Sequence, residues 1–219
     1  MNIEHWKEFA TVYRWKRFST TYAEYSESSL QSGNYVDLLG IDEIGSKEVR
    51  YSKFLAWLLD CKGDHGQGNI FLMELINHLI ELYSTHSLEN IRDDFMNAQY
   101  TVVTECWMTK KRRVDLLIES SKARLAIEVK VKSKESINQT KDYQARLKEL
   151  SLIDKKEWKL LFLTVNGDYS DYALPIQWKE ISRVCSKGLK SSVERHLEFM
   201  NSLAYSVIYQ FSKRILVLR

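Results

Sequence analysis

The chain has 219 residues, of which 44% are hydrophobic and 12% aromatic, so it can bury a sizeable core and is not dominated by disorder. Its net charge of +3 is only mildly basic, and composition alone does not establish nucleic-acid binding. No segment reaches the ~18 apolar residues of a membrane span, and three widely spaced cysteines fit neither a disulfide framework nor a paired-cysteine zinc site. We therefore expect one cytoplasmic α/β domain with reduced cysteines and no membrane partner.

The first third of the chain is predicted to be helical. From Asn2 to about Ser32, aromatic residues recur at mixed helical spacings and indicate a long N-terminal helix. Ser46 is a candidate N-cap for a helix from Lys47 to Asp60, which carries an apolar stripe. The glycine-rich stretch "CKGDHGQGN" predicts a loop, and a helical pattern resumes from Ile70 to Tyr83. Two helices, besides the N-terminal one, thus precede the first strand.

The hydrophobic period then changes to that of a sheet. The stretches "YTVVTECW", "RRVDLLIES" and "ARLAIEVKV" predict three strands, because they are rich in β-branched residues or alternate plainly. A helix from Ser136 to Leu150, a buried strand in "WKLLFLTVNG" and a helical region from Ser191 to Phe211 follow. The predicted fold is α/β, with a central mixed sheet of about four strands flanked by helices and with extra N- and C-terminal helices.

The second and third strands are expected to form a hairpin through a two-residue turn at Ser121 and Lys122. One face then carries only apolar pairs, namely Val114–Val129, Leu116–Ile127 and Ile118–Leu125. The other face carries Arg113–Lys130, Asp115–Glu128, Leu117–Ala126 and Glu119–Arg124. A shift of one residue would mix the two faces, which the hydrophobic pattern disfavours.

This register places two carboxylates together. Asp115 and Glu128 would project from β-carbons about 4.5–5.5 Å apart, and like charges directly opposite each other destabilise a sheet. A hard divalent cation, above all Mg²⁺, would remove the repulsion, with the Val129 carbonyl as a third ligand and Lys130 near an attacking water or a phosphate oxygen. The alternative is a surface salt-bridge lattice that includes Arg113, which would contribute little to stability. Spacing alone leaves both interpretations open.

An acid in one strand, followed in the next by an acid, any residue and a lysine, resembles the signature of the PD-(D/E)XK nuclease superfamily; here these residues are Asp115 and Glu128-Val129-Lys130. The predicted order of helix, three-strand meander, helix and strand also fits that family's core. The stretch "EVRYSKFLAWLLDCKGDHGQGNIFL" resembles the opening of a bacterial and phage branch, although Cys61 stands where related sequences usually have proline. The resemblance implies a restriction-endonuclease-like core over residues 47–167, within a single domain whose residues 1–46 and 168–219 are helical extensions.

The resemblance also implies roles for individual residues. Glu48 matches a first-helix glutamate that binds the metal directly or through water, and the alternative explanation is a favourable charge in the first helical turn. Asp115 and Glu128 match the main metal ligands, and Lys130 matches the catalytic lysine. Gln139 and Tyr143 match a pair on the helix after the motif, but an ordinary amphipathic helix explains them equally well.

The expected function is therefore a Mg²⁺-dependent nuclease that cleaves DNA, with RNA as another substrate and Mn²⁺ able to replace Mg²⁺. Several side chains are expected to contact the nucleic acid, namely Lys111, Arg112, Arg113, Lys132 and Tyr143. Glu105 is either a further acid near the metal or an exposed strand residue, and Trp107 is expected to pack into the core rather than to stack on a base. The alternative function is a catalytically silent nucleic-acid-binding or protein-interaction module, and the sequence leaves a homo-oligomer or a partner protein open.

Overall fold

The computed structural model describes residues 47–132 and 135–218 of the chain. The N-terminal helix predicted for residues 2–32 and the Ser46 cap lie outside these ranges. The helices are α1 (Lys47–Leu59), α2 (Ile70–Tyr83), α3 (His86–Asn97), α4 (Gln139–Asp154), α5 (Trp178–Arg195) and α6 (Leu203–Leu216), with a 3₁₀ turn at Leu197–Asn201. The strands are β1 (Thr101–Thr109), β2 (Arg112–Glu119), β3 (Ala123–Val129), β4 (Glu157–Thr164) and β5 (Leu174–Gln177).

The five strands form one mixed sheet in the order β1-β2-β3-β4-β5. The first three make an antiparallel meander, whereas β3, β4 and β5 are parallel to one another. The central strand β3 is buried along its whole length, as expected for a strand covered on both faces. The predicted hairpin register is confirmed over four pairs, Leu116–Ile127, Leu117–Ala126, Ile118–Leu125 and Glu119–Arg124.

Helices cover both faces of the sheet. The larger core lies against α1, α2, α3, α5 and α6 and includes Leu116, Ile118 and Ile127. A smaller core lies against α4, where Tyr143 and Leu147 pack on strand residues that include Leu117, Ala126 and Leu160. The face of the hairpin that was expected to carry charges therefore has an apolar core in its middle. Its polar residues lie at the two ends.

Val114 was expected on the larger core but is buried in the smaller one. Near Glu105, the side chains of β1 and β2 switch from one face of the sheet to the other. Glu105 itself has a left-handed backbone conformation with φ of 55°. In β1, Val102 packs on the larger core before this point and Cys106 packs on the smaller core after it. An irregular residue of this kind cannot be read from a strict two-residue alternation.

At the turn end of the hairpin, the charges form a structural clamp. Arg124 is 6% exposed, and its guanidinium donates to Glu119 Oε1 at 3.0 Å and to Asp154 Oδ1 at 3.1 Å. Lys156 Nζ contacts the same Glu119 carboxylate and donates to the Ser120 carbonyl at 2.8 Å. These contacts fasten the end of α4 to the hairpin and leave the opposite end as the candidate site.

Three elements differ from the sequence prediction. Helix α3 was missed because its buried residues Leu88, Ile91 and Phe95 are separated by charged ones. Strand β5 makes the sheet five-stranded rather than four-stranded, and its four residues include Pro175, which weakens a strand pattern. Helix α5 begins at Trp178, well before the predicted start at Ser191. Across the described part of the chain, no helix combines the length and the apolarity needed to cross a membrane.

Candidate active site

Asp115 and Glu128 lie at the end of the hairpin opposite the turn. The paired residues of β2 and β3 begin at Leu116 and Ile127, one step further into the sheet. Beyond that step, Asp115 Oδ2 accepts a hydrogen bond of 2.7 Å from the Val129 backbone N–H. A carboxylate therefore takes the place of a backbone acceptor where the two strands separate.

Glu128 is a buried carboxylate, with 2% of the residue exposed. Its Oε1 accepts from Lys130 Nζ at 2.6 Å and from Gln139 Nε2 at 2.7 Å. Its Oε2 is buried and has no hydrogen-bond partner among residues 47–132 and 135–218. A buried acceptor without a donor costs free energy, which favours either a proton or a cation between this oxygen and Asp115.

The two carboxyl groups have raised pKa values. Burial raises the pKa of Asp115 to about 6, against the opposing effects of the Val129 N–H and the Lys130 charge. Burial, and then the neighbouring charge of Asp115, raise the pKa of Glu128 to about 8. The pair consequently retains a proton near pH 7, and a cation bound between the two carboxylates would displace it.

Gln139 and Tyr143, one turn apart on α4, connect Glu128 to the backbone of β2. Gln139 Nε2 donates to the Tyr143 hydroxyl at 3.1 Å, and that hydroxyl donates to the Arg113 carbonyl at 2.5 Å. Tyr143 is completely buried. Its expected contact with nucleic acid does not fit this burial, and we reassign it as a residue that positions Gln139 and therefore Glu128.

Glu48 lies in the first turn of α1, and its carboxylate contacts the chain segment that follows β3. Its Oε1 accepts from the backbone N–H groups of Val131 at 3.1 Å and Lys132 at 3.3 Å. Within residues 47–132 and 135–218, no group of three or more His, Cys, Asp or Glu residues is placed to hold a metal ion. In this structure Glu48 Oε1 thus holds the backbone after β3, and the role of Glu48 in metal binding stays a prediction.

The donor set that remains fits a divalent cation of the magnesium type. Mg²⁺ in proteins is held by one or two carboxylates, and water and substrate phosphates complete its coordination. Asp115 and Glu128 supply two carboxylates, and the unpartnered Glu128 Oε2 supplies a buried acceptor. The Lys130 ammonium group, 12% exposed, is the positive charge that balances Glu128 in this structure.

The basic residues near the site have unequal freedom to contact a ligand. Lys111, in the turn between β1 and β2, and Lys132, just after β3, are both exposed. Arg112 instead fastens α4 to β2, since its guanidinium contacts Asp142 Oδ2 at 2.9 Å and the Ile137 carbonyl at 2.7 Å. The exposed lysines are therefore better placed than Arg112 to contact phosphates.

Arg113 belongs to a small surface cluster with Glu105 and Trp107. Its guanidinium lies 3.3 Å from Glu105 Oε2 and 5.0 Å from the centroid of the Trp107 ring. Trp107 is 63% exposed, so the expectation that it packs into the core is wrong. Trp107 stands beside a basic run in the sequence, but its exposure follows from the edge position of β1, which the structure shows.

The glycine-rich loop after α1 is held in place by hydrogen bonds of His65. His65 is 3% exposed; its Nδ1 accepts from the Gln67 N–H at 3.0 Å, and its Nε2 lies 3.1 Å from the Asp60 carbonyl. Burial lowers the pKa of His65, which favours the neutral ring. Both ring nitrogens are therefore occupied in holding the loop against α1.

Comparison with known families places the chain in a superfamily. The profile of the PD-(D/E)XK nuclease superfamily matches residues 34–215, which include both site strands and the elements from α1 to α5. Searches of the curated proteins and of the solved structures find no significant match. The family evidence therefore comes from the profile, and the strands that carry Asp115, Glu128 and Lys130 lie inside the matched range.

Proposed function

Because the chain belongs to the PD-(D/E)XK nuclease superfamily and has its restriction-endonuclease-like α/β fold, we propose that it is a Mg²⁺-dependent phosphodiesterase that hydrolyses DNA. The observation that carries this proposal is the buried pair Asp115 and Glu128, with an unpartnered oxygen on Glu128 and the Lys130 ammonium group beside it. The burial of two neighbouring carboxyl groups supports a cation site better than a surface ion-pair lattice, whose charges would be exposed to solvent.

Asp115 and Glu128 would hold the cation, with the Val129 carbonyl as a third ligand and Mn²⁺ able to replace Mg²⁺. A divalent cation supplies Lewis acidity to the scissile phosphate and lowers the pKa of a bound water. Gln139 fixes the orientation of Glu128 through its hydrogen bond to Oε1. Tyr143 fixes Gln139 in turn, so the carboxylate geometry is set before substrate arrives.

Lys130 supplies a positively charged hydrogen-bond donor to the site. Its Nζ donates to Glu128 Oε1 at 2.6 Å, and its charge opposes the effect of burial on the pKa of Glu128. When a phosphodiester enters, the same ammonium group donates to a phosphate oxygen or to the attacking water. Glu48 supports this geometry indirectly, because it fixes the backbone of Val131 and Lys132 immediately after the catalytic lysine.

Affinity for the substrate would come from charge. The exposed residues Lys111 and Lys132, together with Arg113, lie on the segments that flank the two carboxylates. Contacts with phosphates through such residues are largely independent of sequence and weaken as salt rises. DNA is the proposed substrate, and RNA is the competing substrate in the test below.

We assign the protein to the cytoplasm on the state of its cysteines. Cys61, Cys106 and Cys185 are all free thiols, and Cys185 is buried. Free thiols persist in reducing compartments, whereas chains in oxidising compartments usually pair their cysteines.

The proposal is tested by cleavage of supercoiled, linear duplex and single-stranded DNA, and of RNA, with Mg²⁺, Mn²⁺ or EDTA. Native protein should cleave DNA only when a divalent cation is present, and Glu128→Ala and Lys130→Ala should each abolish cleavage. Glu119→Gln, in the clamp at the other end of the hairpin, is the matched control and should remain active. DNA binding without cleavage under any of these conditions would favour the catalytically silent module instead.

A further inference from the structure

Trp107 lies exposed on the edge strand β1, close to the candidate site. Its ring is 63% exposed, and the Arg113 guanidinium lies 5.0 Å from the ring centroid. Glu105 holds that guanidinium through an ion pair of 3.3 Å. The ring is therefore supported from one side by a fixed cation, and the exposed remainder of the ring is available to a ligand.

The position of this ring is tied to the catalytic carboxylates. Trp107 pairs with Arg113 across the β1–β2 ladder, and Arg113 precedes Asp115 by two residues, roughly 7 Å along a strand. The Arg113 carbonyl also accepts the hydrogen bond from Tyr143 that orients Gln139. Trp107 therefore lies at the same end of the sheet as Asp115 and Glu128.

The surroundings of the ring favour a nucleic acid over an apolar partner. Lys110 and Lys111 follow on the β1–β2 turn, and both are exposed. An aromatic ring backed by arginine and flanked by lysines combines a stacking surface with charges that attract phosphates. Bases inside a duplex already stack on their neighbours, so such a ring discriminates in favour of bases that are unpaired.

We propose that Trp107 is a stacking platform for an unpaired base next to the cleaved phosphate, so that the enzyme prefers single-stranded DNA or the junction of a single strand with a duplex. This inference rests on the proposed function, because it names the substrate class of the same site. Arg113 would contribute to this binding in two ways. Its guanidinium supports the Trp107 ring, and its positive charge attracts the nearby phosphates.

The test is equilibrium binding in EDTA, which prevents cleavage, with fluorescein-labelled single-stranded and duplex oligonucleotides. Trp107→Ala should weaken single-strand binding about tenfold and duplex binding less than twofold, and Trp107→Phe should restore most of the loss. The slope of log affinity against log salt should be unchanged in Trp107→Ala and reduced by about one in Arg113→Ala. Quenching of 2-aminopurine placed in the single strand should disappear in Trp107→Ala.

A matched control is available in another exposed aromatic residue with a cation on its ring. Lys213 Nζ lies 5.2 Å from the ring centroid of Tyr209 on α6, and Tyr209→Ala should change neither affinity. Equal losses for single strand and duplex, or no loss in Trp107→Ala, would overturn the stacking role while leaving cleavage by the native protein intact. Failure of the native protein to cleave any substrate would overturn the proposed function. The binding measurement in EDTA is independent of that result, because no cleavage occurs in it.

Discussion

Replacement of Glu128 by glutamine should stabilise the cation-free protein at alkaline pH while it abolishes activity. Burial and the Asp115 charge raise the pKa of Glu128 from 4.5 to about 8. Between these values the native state keeps a proton that the unfolded chain has lost, so the free energy of unfolding falls by up to about 1.4 kcal/mol per pH unit as the pH rises. Over the whole interval, the native protein loses on the order of 5 kcal/mol.

Glutamine has nearly the shape of glutamate and carries no charge, so Glu128→Gln escapes this loss. We expect the variant to exceed the native protein by roughly 2–4 kcal/mol at pH 8 and to match it within about 1 kcal/mol at pH 5. The measurement is urea unfolding in EDTA at both pH values. A native protein whose stability does not fall between pH 5 and pH 8, or a variant that is less stable at pH 8, would refute the assignment of a raised pKa to Glu128.

Asp154 provides the control with the opposite sign. The hydrogen bonds from Arg124 lower the pKa of Asp154, so its charge stabilises the native state above its ordinary pKa and this stabilisation is lost as the pH falls. Asp154→Asn should therefore destabilise the protein at pH 8, with an effect that shrinks in acid. Glu128→Gln and Asp154→Asn thus remove one carboxylate each and move stability at pH 8 in opposite directions.

Three further variants separate chemistry from structure. Lys130→Gln should slow single-turnover cleavage at least about 100-fold while the thermal shift produced by Mg²⁺ persists. Tyr143→Phe removes the hydroxyl between Gln139 and the Arg113 carbonyl, so it should lower the free energy of unfolding by about 1–2 kcal/mol and reduce the cleavage rate about tenfold without changing DNA affinity. Arg124→Ala removes the partly buried ion pairs of Arg124 with Glu119 and Asp154 and should cost about 1–3 kcal/mol in urea unfolding, yet the Mg²⁺ thermal shift should not change.

The proximity of Asp115 and Glu128 could be predicted because its geometry is local. A two-residue turn and a strong alternation of apolar and charged residues fix one register, and that register places Asp115 beside Glu128 and Lys130. The family resemblance then named the chemistry, and the profile match over residues 34–215 confirms the superfamily. Both Glu48 and Gln139 also lie where side chains can support the site, although only Gln139 contacts Glu128 directly.

Features that depend on packing between distant elements could not be predicted. Tyr143 is buried because α4 lies across the sheet, which its own amphipathic pattern does not show. Trp107 is exposed because β1 is an edge strand that changes faces near Glu105. Strand β5 was missed because its four residues pair only with β4, which the sequence separates from it by a loop. In each case the deciding contact is remote in sequence.

The most direct test of the account is the anomalous-difference map of crystals grown with Mn²⁺ at pH 8. We expect a peak within about 2.0–2.4 Å of oxygens from both Asp115 and Glu128, and we expect Lys130 Nζ to be displaced from Glu128 Oε1. We further expect that this peak is absent from crystals of Glu128→Gln. The result against this site would be native protein that binds DNA under the same conditions but whose Mn²⁺ crystals show no peak between the two carboxylates.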